Sequence, residues 1–163
     1  MRKTLLWMCV LFLSLPVVTK AATEQEKNKA VARSFFEEVL DQGKLDKYAE
    51  SHAADFVVHG RDRDGTLAED MAGAKGWRHA FPDMHVKVNQ MVAEGDLVAV
   101  YWTGSGTNTQ EGMGFPGTGK KITASGMTLF RFKDGKISEE WGVLDLLSAL
   151  RQAGVLPPPP PRS

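Results

Sequence analysis

The 163-residue chain has a single cysteine, Cys9, so no intramolecular disulfide and no thiolate metal site are available to it. It has no excess of either charge: 20 Lys and Arg stand against 20 Asp and Glu. Dedicated nucleic-acid binders normally carry a basic excess, so nucleic acid is not an expected partner. No apolar run reaches the roughly 20 residues that a membrane-spanning helix needs. Neither G-x-S-x-G nor a Walker A sequence is present. The glycines at 112, 114, 117 and 119 lack the Lys-Ser or Lys-Thr that a phosphate loop requires, and read as a turn between strands. The histidines, His52, His59, His79 and His85, form neither H-x-x-x-H nor H-E-x-x-H, so no metal site is expected unless one assembles in space.

What is present begins with a leader. Arg2 and Lys3 precede an apolar run from Leu5 to Val18, broken only by Ser14 and Pro16, and Thr19-Lys20-Ala21 supplies small residues for cleavage after Ala21. This is the plan of a secretory signal peptide, with an uncleaved anchor as the rival reading. Residues 1–21 are therefore expected to be removed, leaving a secreted or periplasmic protein without a membrane anchor. The mature chain of 142 residues would carry 17 basic against 20 acidic residues and no cysteine. It would hold together by packing alone.

Residues 22–154 read as one domain with helices first and strands later, followed by a proline-rich tail at 155–163. Ala30, Val31, Phe35, Val39 and Leu40 recur at helical spacing within Thr23 to Leu40, and Thr23 with Glu26 forms a capping-box pattern. A short helix is expected over 45–53, a strand over 55–60 and a helix over 65–80. Strands follow at 84–93, 97–109, 120–132 and 136–144, then a closing helix at 146–153. Asp134-Gly135 between two apolar runs is a hairpin signal. The expected class is α+β. A strongly twisted antiparallel sheet curls, and helices laid on its concave side would enclose a cavity.

Without a nucleophile or metal motif, the chemistry left is acid–base catalysis or plain binding. On the last strand Ile137, Glu139, Trp141, Val143 and Asp145 share one face if no bulge intervenes, and Ser138, Glu140 and Gly142 share the other. Each face thus carries a carboxylate, and either one reads equally as solvated or as pocket-lining. Trp77, Trp102 and Trp141 suit core packing or ligand contact. His59, after the apolar Asp-Phe-Val-Val, suits a structural or a pocket role.

Several stretches together resemble the SnoaL-like polyketide cyclases, also called ester cyclases, of the nuclear transport factor 2-like superfamily. They are Ala80-Phe81-Pro82-Asp83, Ala93-Glu94-Gly95-Asp96, Gly106-Thr107, Met113-Gly114 through Thr118-Gly119-Lys120, Phe130-Arg131-Phe132, Asp134-Gly135-Lys136-Ile137, and Glu139, Trp141 and Asp145. The resemblance spans roughly residues 25–153. It implies a cone-like α+β fold, a bent antiparallel sheet wrapped by the N-terminal helices around a hydrophobic cavity, with a homodimer formed through the outer sheet face, and intramolecular aldol ring closure without metal or organic cofactor. It further implies an acid/base Asp just after Glu-x-Trp and an assisting His after Gly-Thr. Those positions hold Gly142 and Asn108 here, which can move no proton. Glu140, two residues from Gly142, is the expected replacement base, with Asp145 next. His59, Trp77, Trp102, Asn108, Met127 and Trp141 are the expected ligand contacts. Two readings follow: a cofactor-independent cyclase or isomerase-type lyase acting on a small hydrophobic molecule, and a secreted protein that binds such a molecule without chemistry. A limonene-epoxide-hydrolase-like enzyme would need an Asp-Arg-Asp set, of which only Arg131 and Asp145 suggest themselves.

Overall fold

A computed structural model describes residues 17–60 and 62–159. Most of the leader and the end of the proline tail lie outside them. Helix α1 spans Val17–Ser34 and continues into a π-helical stretch, Phe35–Asp41. Thr23 therefore lies inside a helix rather than at its start. Phe35, Phe36 and Val39 are buried. Arg78 clamps the end of this stretch, its guanidinium donating to the carbonyls of Leu40, at 2.6 Å, and Asp41. A 3-10 turn, Leu45–Lys47, leads into the one-turn helix α2, Tyr48–Ser51.

Strand β1, His52–His59, is followed by the two-residue β2, Gly65–Thr66, and by α3, Leu67–Ala80. A capping box does start α3: the Thr66 side chain accepts from Glu69 N, and Glu69 reaches back to Thr66 N. The long strands are β3, His85–Glu94, and β4, Leu97–Thr107. A small hairpin of β5, Glu111–Gly112, and β6, Phe115–Pro116, follows. Strands β7, Lys121–Lys133, and β8, Lys136–Leu144, precede α4, Leu146–Ala153. The turn between β7 and β8 places Asp134 and Gly135 at φ +53° and +75°, the left-handed pair that an Asp-Gly hairpin supplies.

The six-stranded sheet runs β2-β1-β8-β7-β4-β3. Its pairings are antiparallel except for β1 with β8, which is parallel. The sheet curves without closing, and helices cover its concave face. Val98, Val100, Phe130 and Ile137, all fully buried, form the floor of the core. Phe35, Phe36 and Tyr48 pack onto it from the helical side, with Phe35 edge-on to Phe130 at 5.9 Å between centroids.

One irregularity sets the chemistry of the last strand. The β7–β8 register shifts between Arg131 and Phe132, which pair with Glu139 and Ile137, so Ser138 is an extra residue. This bulge resets the alternation of side chains. Ile137 and Glu140 both face inward, and Glu139, Trp141 and Val143 face outward. The unbulged pattern had grouped Ile137 with Glu139 and Trp141.

Candidate functional site

The concave face of the sheet, α3 and the π-helical stretch enclose a cavity of about 410 Å³. Trp77 comes to it from α3, Trp102 from β4, and Phe115 from the small hairpin. Trp102 is held by its Nε1–H donating to Thr128 Oγ1 at 3.1 Å. Its ring lies over Gly126, the residue paired with it on β7. The absence of a Cβ at Gly126 is what leaves room for the indole.

Three carboxylates line this cavity, and no Lys, Arg or His does so among the described residues. Glu69 sits at the rim, paired with Arg63 at 2.6 Å and engaged in the α3 cap. Asp70 and Glu140 lie deeper and have no cationic partner among the described residues. Asp70 accepts a hydrogen bond from the Tyr48 hydroxyl at 2.5 Å. Glu140 Oε2 is buried without a hydrogen-bond partner. Burial first, and the neighbouring Asp70 second, hold the Glu140 carboxyl well above the usual carboxylate range. Burial raises Asp70 as well, against the opposing pull of the Tyr48 hydrogen bond.

His52 stands behind this pair, 1% exposed. Its Nδ1 lies 2.9 Å from the Tyr48 carbonyl oxygen. A carbonyl can only accept, so Nδ1 carries the hydrogen and Nε2 keeps its lone pair. Nε2 has no partner. Burial pushes the imidazole down to about 4, so it is neutral at pH 7. One ring nitrogen of His52 and one carboxylate oxygen each of Asp70 and Glu140 lie within 4.8 Å of one another. These donor types also suit a divalent metal ion.

Of the residues singled out from sequence, Glu140, Trp77 and Trp102 meet in the cavity. The others do not. Asn108 is fully buried but clamps the loop after β4: its Oδ1 accepts from Thr118 N and Oγ1, and its Nδ2 donates to the Gln110 carbonyl. His59 and Trp141 stack on each other at 4.4 Å on the outer face, because the bulge turns Trp141 away from the cavity. His59 Nε2 meets Glu139 at 2.9 Å, which with Asp64 raises the imidazole above its usual value. Met127, on the outer face of β7, is 51% exposed. Asp145 is exposed and caps α4 by accepting from Ser148 N at 3.0 Å. It is a helix-starting residue rather than a second cavity carboxylate. Arg131 pairs with Asp96 and Glu139 on the outer face and forms no cavity set with Asp145.

Sequence reasoning missed Asp70, Tyr48 and His52. A signal for Asp70 existed: it shares the inward stripe of α3 with Ala74 and Trp77, at i, i+4 and i+7. A carboxylate in such a stripe is the informative exception to apolar-inside patterning.

The sequence profile of the SnoaL-like polyketide cyclases matches residues 30–153. The chain belongs to that family. Solved structures agree. AclR from Streptomyces galilaeus superposes with a TM-score of 0.76 at 28% identity, over 83% of this chain and 86% of its own. IdmH from Streptomyces antibioticus gives 0.69 at 27% identity, over 78% and 98%. A protein from Acidithiobacillus ferrooxidans gives 0.70 at 28% identity, over 79% and 95%. A comparison with curated proteins found no match. The SnoaL-like fold explains the cavity. Gly142 and Asn108, where resemblance implied an acid/base Asp and an assisting His, bear on its chemistry. A Cβ at Gly142 would meet only Glu140 Oε1, at 3.7 Å, so the position that resemblance assigns to an acid/base Asp is open space beside Glu140.

Proposed function

We propose that the protein binds a small, largely apolar molecule in its cavity and that Glu140 moves a proton on it as a general acid/base. The observation that carries this is the Glu140 carboxyl at the cavity wall, whose Oε2 is buried and unpartnered. A carboxyl held above its usual range exchanges protons near neutral pH, where it is both a useful acid and a useful base. IdmH bears the name of a candidate polyketide cyclase and AclR that of a candidate hydroxylase. Proton movement on an enolisable carbonyl fits the first of these chemistries. The second reading, binding without turnover, is favoured by the two positions where resemblance expects an Asp and a His and this chain has Gly142 and Asn108.

Nitrobenzisoxazole separates the two readings. A general base takes its ring C–H proton, the N–O bond breaks, and coloured cyanonitrophenolate forms. The proton then leaves Glu140 for solvent. The wild-type protein is expected to open the ring with a rate that rises with pH, because the base form is required. Its midpoint should lie well above the ordinary 4.5 of a glutamate. Glu140→Gln is expected to lower the rate by about 100-fold. Equal rates in the two proteins would leave binding alone.

The outer sheet face carries a row of exposed apolar residues. Tyr101 pairs with Met127, and Met127 with Val143, which is 69% exposed. We propose that this face joins two copies, and Val143→Asp is expected to turn a dimer into a monomer in sedimentation analysis. Export guided by the leader completes the proposal, placing the cavity and its ligand outside the cytoplasm.

A further inference from the structure

The acid/base reading leaves one feature of the cavity unexplained: its charge has one sign only. Asp70 and Glu140 sit in an apolar cavity with no cation beside them among the described residues, and Glu69 at the rim is already paired with Arg63. Each charged carboxylate in such a place carries a large desolvation cost unless a counter-charge arrives. The groups that face Glu140 are Asp70 from α3, Tyr48 from α2 and His52 from β1, and none is positively charged. Tyr48 keeps its proton, since burial raises its hydroxyl, and its O–H donates a hydrogen bond to Asp70.

Two further observations point to what is missing. His52 is 1% exposed, and its Nε2 lone pair has no partner beside the two carboxyls. The cluster is therefore rich in acceptors and poor in donors. Seven aromatic rings also line the cavity, among them Phe35, Tyr48 and Trp102. Aromatic faces attract cations and lower the cost of desolvating them.

We propose that the ligand is an apolar molecule bearing one protonated amine, whose ammonium group sits against Asp70 and Glu140, with His52 behind them. The spacing suits it. Two acceptors each about 2.9 Å from one tetrahedral nitrogen stand roughly 4.7 Å apart. One carboxylate oxygen of Asp70 and one of Glu140 lie within 4.8 Å of each other. A free carboxylate or phosphate on the ligand is disfavoured by the same field. Binding the ammonium stabilises the charged carboxylates, so the site gives up a proton to solvent as the amine enters.

This inference rests on the cavity being a binding site and names what it binds. The test is calorimetry with three probes of one shape: naphthylmethylamine, naphthalenemethanol and naphthoic acid. Each is measured near neutral pH in two buffers of different ionisation heat. The amine is expected to bind at least about tenfold more tightly than the alcohol. It should release a proton on binding, and the acid should not bind. Glu140→Gln and Asp70→Asn are expected to lose the preference for the amine while still binding the alcohol. A merely structural role would weaken both together. Alcohol binding equal to amine binding would overturn the ammonium inference and leave the apolar cavity standing. Absence of binding by amine and alcohol alike would overturn both. Zinc or manganese displacing the amine at micromolar concentration would assign the cluster to a metal ion instead.

Discussion

Glu140→Gln is expected to make the protein more stable at neutral pH, by on the order of 2 kcal/mol. The sign follows from linkage. The folded state holds the Glu140 proton more tightly than the unfolded chain does, because burial and Asp70 oppose ionisation. Between the ordinary 4.5 and the raised folded value, the folded state thus carries more protons, and wild-type stability falls as pH rises. The contribution is fully present below the ordinary value and lost as pH climbs through the folded one. Glutamine keeps the shape and removes the titration. The difference between the two proteins should therefore be small near pH 4 and grow toward neutral pH. Urea melts at a series of pH values measure it. A variant less stable than wild type at every pH would mean that the carboxylate is satisfied in the fold, contrary to its unpartnered Oε2.

Gly126→Ala is expected to cost about 1–3 kcal/mol and to disturb the cavity at the same time. A Cβ there would overlap the Trp102 indole, with ring carbons 2.7 and 2.8 Å away. The indole cannot simply swing aside. Its Nε1–H is bonded to Thr128, and Phe36 packs beside it at 6.1 Å between centroids. Gly73, on α3, is the contrast. A Cβ at Gly73 meets nothing within 4 Å. Gly73→Ala is therefore expected to stabilise the fold by up to about 1 kcal/mol through helix propensity. Thermal melts of the two variants check both signs. If Gly126→Ala melted like wild type, the indole would not be fixed where the cavity wall requires it.

Much of the fold was legible because its strands announce themselves. Lys136–Leu144 and Leu146–Ala153 fall where periodicity placed them, and the Asp134-Gly135 turn has the positive φ pair its sequence demands. The helical N-terminal segment was harder. Its change from α to π geometry at Phe35 depends on tertiary packing of Phe35, Phe36 and Val39, which local pattern does not report. The site was half legible. Glu140 and the two cavity tryptophans could be singled out by type and position. Trp141 could not be assigned to a face, because one extra residue at Ser138 inverts the alternation of β8. Asp70, Tyr48 and His52 converge from three elements, and only the folded chain brings their polar atoms to one place.

The central claim is a Glu140 carboxyl that stays protonated near neutral pH inside the cavity. Infrared difference spectroscopy of the wild-type protein against Glu140→Gln reads this directly, through the carbonyl stretch of a protonated carboxylic acid. The expected result is a protonated-acid band at neutral pH that is missing in the variant and that fades only as pH is raised further. A difference spectrum showing only ionised carboxylate at neutral pH would contradict it.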